Sequence, residues 1–261
     1  MNPIPKPVNW NLLPMYEKVS IYTKFLGPEI APYIDKLSAK EIAAPYGVKV
    51  APLVRVLKDI NDIHQEDLKS GHILKAAHGC KWNIDLNETL NTEDIKKKLR
   101  EWNRPYIDHG EPQYKFLTPK FYIEERITDK YLGKKDSLVY HIRCIYGTPI
   151  PIVRIRHSSG KANTYTFSWE PLQAVELHVK LEKPKNLDQM IEFASKMSKD
   201  FEFVRMDFYV DENDDIYFSE YTFTPSAGTK INCPAIESPS HWNVKIPMRS
   251  SFHNRLLTSN K

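Results

Sequence analysis

The sequence predicts an α+β fold built around an antiparallel sheet, and three observations carry that reading. Residues 203–210 alternate, with Val204, Met206, Phe208 and Val210 on one side and Arg205 and Asp207 on the other. The turn-rich link DENDD joins this run to a second strand in DIYFSEYTF, as a hairpin requires. Helical spacing of apolar residues is confined to separate stretches, within 14–46, after Thr92 and after Asn186.

In chain order, Gly27-Pro28 breaks the first helical stretch and Gly47 ends the last. Ser38-Ala39-Lys40-Glu41 reads as a capping box with Ser38 as N-cap, which places Lys40 in the first turn. A cation there is disfavoured by roughly 0.3–1 kcal/mol unless an anion binds the same helix end. Strand-like VKVAPLVRVL follows, then HILKAAHGC, a short apolar strand that carries Lys75 and ends in a loop. Thr92 caps a helix whose Ile95, Leu99 and Trp102 form one apolar stripe. PKFYIEERI is a strand with Phe121, Ile123 and Glu125 on one face and Tyr122, Glu124 and Arg126 on the other. LVYHIRCIYGTPIPIVRIR reads as two strands around Gly147-Thr148-Pro149; His141 and Arg143 share a face, as do Arg154 and Arg156, giving a basic wall suited to planar oxyanions. Asn186 opens a helix with Leu187, Met190, Ile191, Ala194 and Met197 inward. The tail SHWNVKIPMRSSFHNRLL gives no assignment, and its last dozen residues are expected to be poorly ordered.

A hairpin symmetric about Asn213 and Asp214 sets Asp207 opposite Glu220 and Arg205 opposite Thr222. Like charges directly opposite destabilise a sheet. A hard divalent cation that takes oxygen ligands resolves the conflict, so the pair reads as a magnesium site. The polar loop Thr222-Phe223-Thr224-Pro225-Ser226-Ala227-Gly228 follows at once, where ligands commonly collect.

FVRMDFYVDENDDIYFSEYTFTPSAG resembles the metal-binding core of ATP-grasp enzymes, more narrowly the TupA-like branch met in cell-surface polysaccharide and teichuronopeptide biosynthesis. The resemblance implies an ATP-grasp fold with an N-terminal lobe (1–60), a small lid lobe (61–120) and a C-terminal catalytic lobe (121–261). It implies that Asp207, Glu220 and Thr222 hold magnesium, with Thr222 where the family has Asn, and that Arg205 contacts the transferred phosphate. It further implies that Lys40, Lys75, His78 and Gly79 meet the nucleotide and that one of Glu124 and Glu125 helps to hold it, with Lys75 and Arg205 supporting catalysis. The implied activity is an ATP-dependent carboxylate–amine ligase acting on an acidic sugar and an amino acid. The alternatives are a kinase of a sugar or small molecule, and a non-catalytic nucleotide- or glycan-binding protein.

Composition fits this expectation. With 37 basic and 33 acidic residues the net charge is +4, with no basic tract that would call for nucleic acid. Three separated cysteines without zinc spacing suggest a reducing compartment, and no apolar leader or spanning stretch appears. A cytoplasmic protein without membrane insertion is expected, with a homodimer left open.

Overall fold

The computed structural model describes residues 6–7, 9–107, 110–173, 177 and 179–243. Two sheets organise it. The larger has the order β1 (Lys49–Val50), β10 (Ile216–Thr222), β9 (Phe203–Val210), β6 (Val139–Ile145), β7 (Thr148–Arg156) and β8 (Ala162–Thr166). All neighbours are antiparallel except β1 and β10. The smaller sheet has the order β2 (Leu53–Val56), β5 (Phe121–Glu125), β3 (His72–Ala76) and β4 (Asn83–Asp85), antiparallel throughout. It therefore reaches beyond residues 61–120 at both ends.

The run VKVAPLVRVL splits at Ala51-Pro52, so that β1 joins the large sheet and β2 the small one. Proline cannot donate to a ladder, which makes it a natural point for the chain to leave one sheet for the other. Each sheet has its own core. The α4 helix (Thr92–Trp102) buries Ile95 and Leu99 against Leu74 and Ile123 of the small sheet. The α5 helix (Leu187–Met197) packs on β6 and β7 of the large sheet with Leu187, Met190 and Ala194 inward. Asn186 is its N-cap position, as expected.

The N-terminal helices α1 (Met15–Thr23), α2 (Ala31–Ile34) and α3 (Lys36–Ala43) complete the large core. Gly27-Pro28 interrupts them as expected, and Gly47 ends the series at φ +82°, a conformation that costs glycine least. Two caps differ from expectation. The cap of α4 is Asn91, whose side chain accepts from Glu93 N, and not Thr92. The cap of α3 is Asp35, accepting from Leu37 N and Ser38 N. Lys40 thus lies in the last turn of α3, where the helix dipole favours a cation.

Residues up to 243 pack against the N-terminus: buried Lys18 donates to the carbonyls of Pro239 and Trp242 at 2.6 and 2.7 Å, and Trp242 stacks on Phe203. The remainder of the tail lies outside the described residues. Among the described residues no helix is long and apolar enough to cross a membrane, and Cys80, Cys144 and Cys233 are free thiols.

Candidate active site

The hairpin of β9 and β10 sets Asp207 opposite Glu220 and Arg205 opposite Thr222. It does so through an irregularity that turn symmetry does not contain. Near the turn Ile216 pairs with Val210 and Phe218 with Phe208, so Ser219 is an extra residue, a β-bulge, before the pairing resumes at Glu220. The bulge switches Glu220 to the face of Asp207.

The two carboxylates do not meet unmediated. Arg205 forks onto Asp207, with Nε donating to Oδ1 and Nη2 to Oδ2, both at 2.6 Å. Arg205 Nη2 also donates to Thr222 Oγ1 at 3.1 Å, and this hydroxyl lies 3.1 Å from Glu220 Oε1 and 3.3 Å from Asp207 Oδ2. Burial separates the acids electrostatically. Asp207, 2 % exposed, is pushed up to about 6 by burial, against the pull of Arg205. At Glu220, burial is outweighed by Lys36 and Arg205, which hold its carboxyl below the usual range. Magnesium takes oxygen ligands and is commonly bound by one or two carboxylates, with phosphate and water completing its shell. Asp207 and Glu220 offer that donor set. Among the described residues no group of three His, Cys, Asp or Glu side chains is arranged for a metal, so nothing here forms an all-protein cage.

These residues form one wall of a cavity of about 580 Å³ between the two sheets. The opposite wall carries Lys75 on β3, Lys40 on α3 and Glu124 on β5. Glu124 is shared by the two lysines: Lys75 Nζ lies 2.6 Å from Oε1, and Lys40 Nζ contacts Oε2. Burial and the neighbouring cations push Lys75 down to about 8 and Lys40 to about 6. Ammonium groups crowded in this way gain from an incoming polyanion, which supplies the counter-charge that one carboxylate divides between two.

The other expected residues divide. Gly79 lines the cavity and lies so close to Trp82 that a Cβ would stand 2.6 Å from that ring. His78, expected at the nucleotide, is fully buried behind it. Its Nδ1 accepts from Lys120 N at 3.1 Å and its Nε2 faces Trp102 O at 2.9 Å, so the ring fastens the loop from within. Glu124 points into the cavity, whereas Glu125 is exposed and borders a smaller adjoining cavity of about 280 Å³.

Sequence reasoning missed Lys36 and Glu111. Lys36 lines the cavity and donates from Nζ to Gly79 O. Its place was readable only with Asp35 recognised as the cap. Glu111, raised by burial, accepts from Thr224 Oγ1 at 2.9 Å and reaches the site from a loop with no pattern to mark it. Burial also raises the Cys80 thiol, which leaves it a poor nucleophile.

The fold is similar to that of an L-amino acid ligase from Bacillus licheniformis, with 11% identity over 86% of this chain and 53% of that one and a TM-score of 0.54. This chain therefore spans about half of that ligase. A second similar structure is the ATP-grasp ligase PsnB complexed with a phosphomimetic variant of a minimal precursor, Mg and ADP, at 10% identity over 95% and 68% of the two chains and a TM-score of 0.44. No curated protein matches the chain. Carboxylates paired through a strand-to-strand register, opposed by Lys75 on the second sheet and Lys40 on α3, are joined by direct evidence from sequence: a model of the TupA-like ATP-grasp family matches residues 17–235, and the chain belongs to that family.

Proposed function

We propose that the protein is an ATP-dependent carboxylate–amine ligase that forms an amide through an acylphosphate. The observation that carries this reading is the Arg205–Asp207–Thr222–Glu220 cluster facing Lys75 and Lys40 across one cavity. Lys75 and Lys40 hold the nucleotide phosphates, and Glu124 orients both lysines. A carboxylate oxygen of the substrate attacks the γ-phosphorus and ADP leaves. Arg205, fixed by its fork onto Asp207, is placed to offset the charge that develops on the transferred group. Asp207 and Glu220, with the Thr222 hydroxyl between them, are the residues that would hold magnesium, which supplies charge neutralisation at the phosphates. The amine then attacks the acyl carbon, phosphate departs and the nitrogen loses its proton. No covalent bond to the chain is required.

The resemblance to the TupA-like branch supports an acidic sugar of a surface polysaccharide as the carboxylate and an amino acid as the amine, acting in the cytoplasm. Hydroxylamine tests the reaction class. With ATP, magnesium and the correct acid, it should intercept the acylphosphate and give a hydroxamate without the natural amine, because capture replaces the second step. ATP consumption with an identified acid but neither hydroxamate nor amide would replace the ligase reading with a kinase.

A further inference from the structure

Past Arg205, the cavity holds a carboxylate that the chemistry above leaves unused. The β9–β10 hairpin gives the order of the site. Nearest the turn, Lys75 Nζ stands 6.0 Å from the Tyr209 ring. Next come Asp207 opposite Glu220, then Arg205 opposite Thr222, the last residue of β10. Two residues further on is Thr224, whose hydroxyl donates to Glu111 Oε1 at 2.9 Å. Glu111 therefore meets the hairpin on the far side of the Arg205–Thr222 pair from Lys75.

Glu111 is held in place from two directions. Gln113 Nε2 donates to Thr224 Oγ1 at 2.7 Å, and an amide nitrogen can only donate, so the Thr224 hydroxyl proton is turned toward Glu111. Both Gln113 and Thr224 are buried. A hydrogen bond given to a carboxylate favours its ionised form. The loop that carries Glu111 is also seated through Gly110, where a Cβ would stand 3.5 Å from that of Ala227. Glu111, Thr224, Ser226 and Ala227 all line the cavity. Ser226 and Ala227 both keep a positive φ, 56° and 52°, a costly backbone state that collects at ligand sites.

The charge of Glu111 is not balanced from within the chain. The titratable groups around it are Glu220 and Arg205 of the hairpin, Lys36 of α3, Cys80 after β3 and the buried Tyr114. Arg205 is committed to Asp207, and Lys36 donates to Gly79 O. Among the described residues no lysine, arginine or histidine forms an ion pair with Glu111. Burial accordingly raises its carboxyl in spite of the two cations. Its Thr224 bond occupies Oε1 and leaves Oε2 toward a ligand. A half-buried carboxylate in this state is relieved by a cation that the ligand brings.

We propose that Glu111 seats the second substrate: the incoming amine binds as a primary ammonium ion on the Glu111 carboxylate, beyond Arg205 from the nucleotide. The inference rests on the ligase reading and names the charge by which its amine is recognised. Lys75, Arg205 and Glu111 then follow one another in the order of the reaction, as contacts for the phosphate donor, the transferred group and the amine. The seat acts at binding, ahead of attack on the acyl carbon.

Calorimetry on the full chain, saturated with magnesium and a non-hydrolysable ATP analogue, tests this. The probes are glycine, L-alanine and L-glutamate, each against the hydroxy acid that carries a hydroxyl in place of the ammonium: glycolate, L-lactate and L-2-hydroxyglutarate. At least one amino acid is expected to bind about tenfold or more tightly than its hydroxy acid. Glu111→Gln keeps the size and an acceptor oxygen for Thr224, and is expected to abolish that preference. Thr224→Val loosens the carboxylate without removing it, and is expected to reduce the preference in the same direction. Affinity for the nucleotide analogue is the check on folding in both variants. Hydroxy acids that bind as tightly as the amino acids, a preference that survives Glu111→Gln, or no binding by any of the amino acids overturns the seat. Binding is read without turnover, so failure of amide formation and failure of the seat are separate results.

Discussion

At the scale of single residues, Asp207 and Glu220 show how one hairpin can hold two carboxylates in different states. Burial pushes Asp207 up to about 6, above the 3.8 of an ordinary aspartate, so between those values the folded chain keeps a proton that the unfolded chain has released. Stability from this group therefore falls as pH rises through that window. The same proton competes with a metal for the carboxylate oxygens. Magnesium affinity is expected to weaken as pH drops below about 6, and Asp207→Asn should flatten that dependence; an affinity that does not change between about pH 5 and about pH 8 would place the metal elsewhere. Glu220→Gln keeps the size of the side chain and removes its charge. It should lower ATP turnover by roughly 10²–10³ while circular dichroism and melting stay near those of the parent chain. Turnover near wild type in saturating magnesium would remove Glu220 from the metal site.

Among the elements, what was legible in the sequence is what a periodic pattern or a strong turn can announce. The facing of Asp207 and Glu220 was readable, but through an assumption of turn symmetry, whereas the actual device is the bulge at Ser219. Its signal is present: the buried apolar positions run Ile216 and Phe218, then Tyr221 and Phe223, a slip from even to odd numbers across Ser219. The α3 cap failed for a related reason. Ser38 and Glu41 match a capping box, but Asp35 is also a good cap, and local pattern cannot rank two candidates three residues apart. Tertiary contacts decide, since Asp35 also meets Lys120 Nζ at 3.2 Å. Asp35→Ala should therefore cost about 1 kcal/mol, seen as a lower denaturation midpoint, and Ser38→Ala clearly less. The opposite order would restore Ser38 as the cap. His78 and Glu111 were illegible because one is buried by a distant loop and the other delivered by one, and neither event leaves a period.

Over the whole molecule, two sheets with separate cores meet at the cavity, and α3 is the element that ties them. It packs on β10 of the large sheet. It also reaches the small sheet's side at three points along its length: Asp35 to Lys120, Lys36 to Gly79 O, and Lys40 to Glu124. The last contact is shared with Lys75, so the tie between the sheets and the cavity-facing lysines are one network. A bound nucleotide would meet Lys75 from the small sheet and Lys40 from α3 together, and so fasten the lobes more firmly than one divided carboxylate does. Magnesium-ATP is therefore expected to slow proteolysis within residues 71–120. Lys75→Ala should weaken nucleotide affinity about tenfold to a hundredfold, the cost of one hydrogen bond to a charged group, and reduce the protection with it. Lys40→Ala should do the same from the other side of the cleft, whereas a lysine that merely balanced Glu124 could be removed with little change in either measurement. If magnesium-ATP protects the Lys75→Ala chain as fully as the parent at the same fractional saturation, Lys75 does not couple the nucleotide to the small sheet, and the remaining ties, Lys40 to Glu124, Lys36 to Gly79 O and Asp35 to Lys120, carry the coupling.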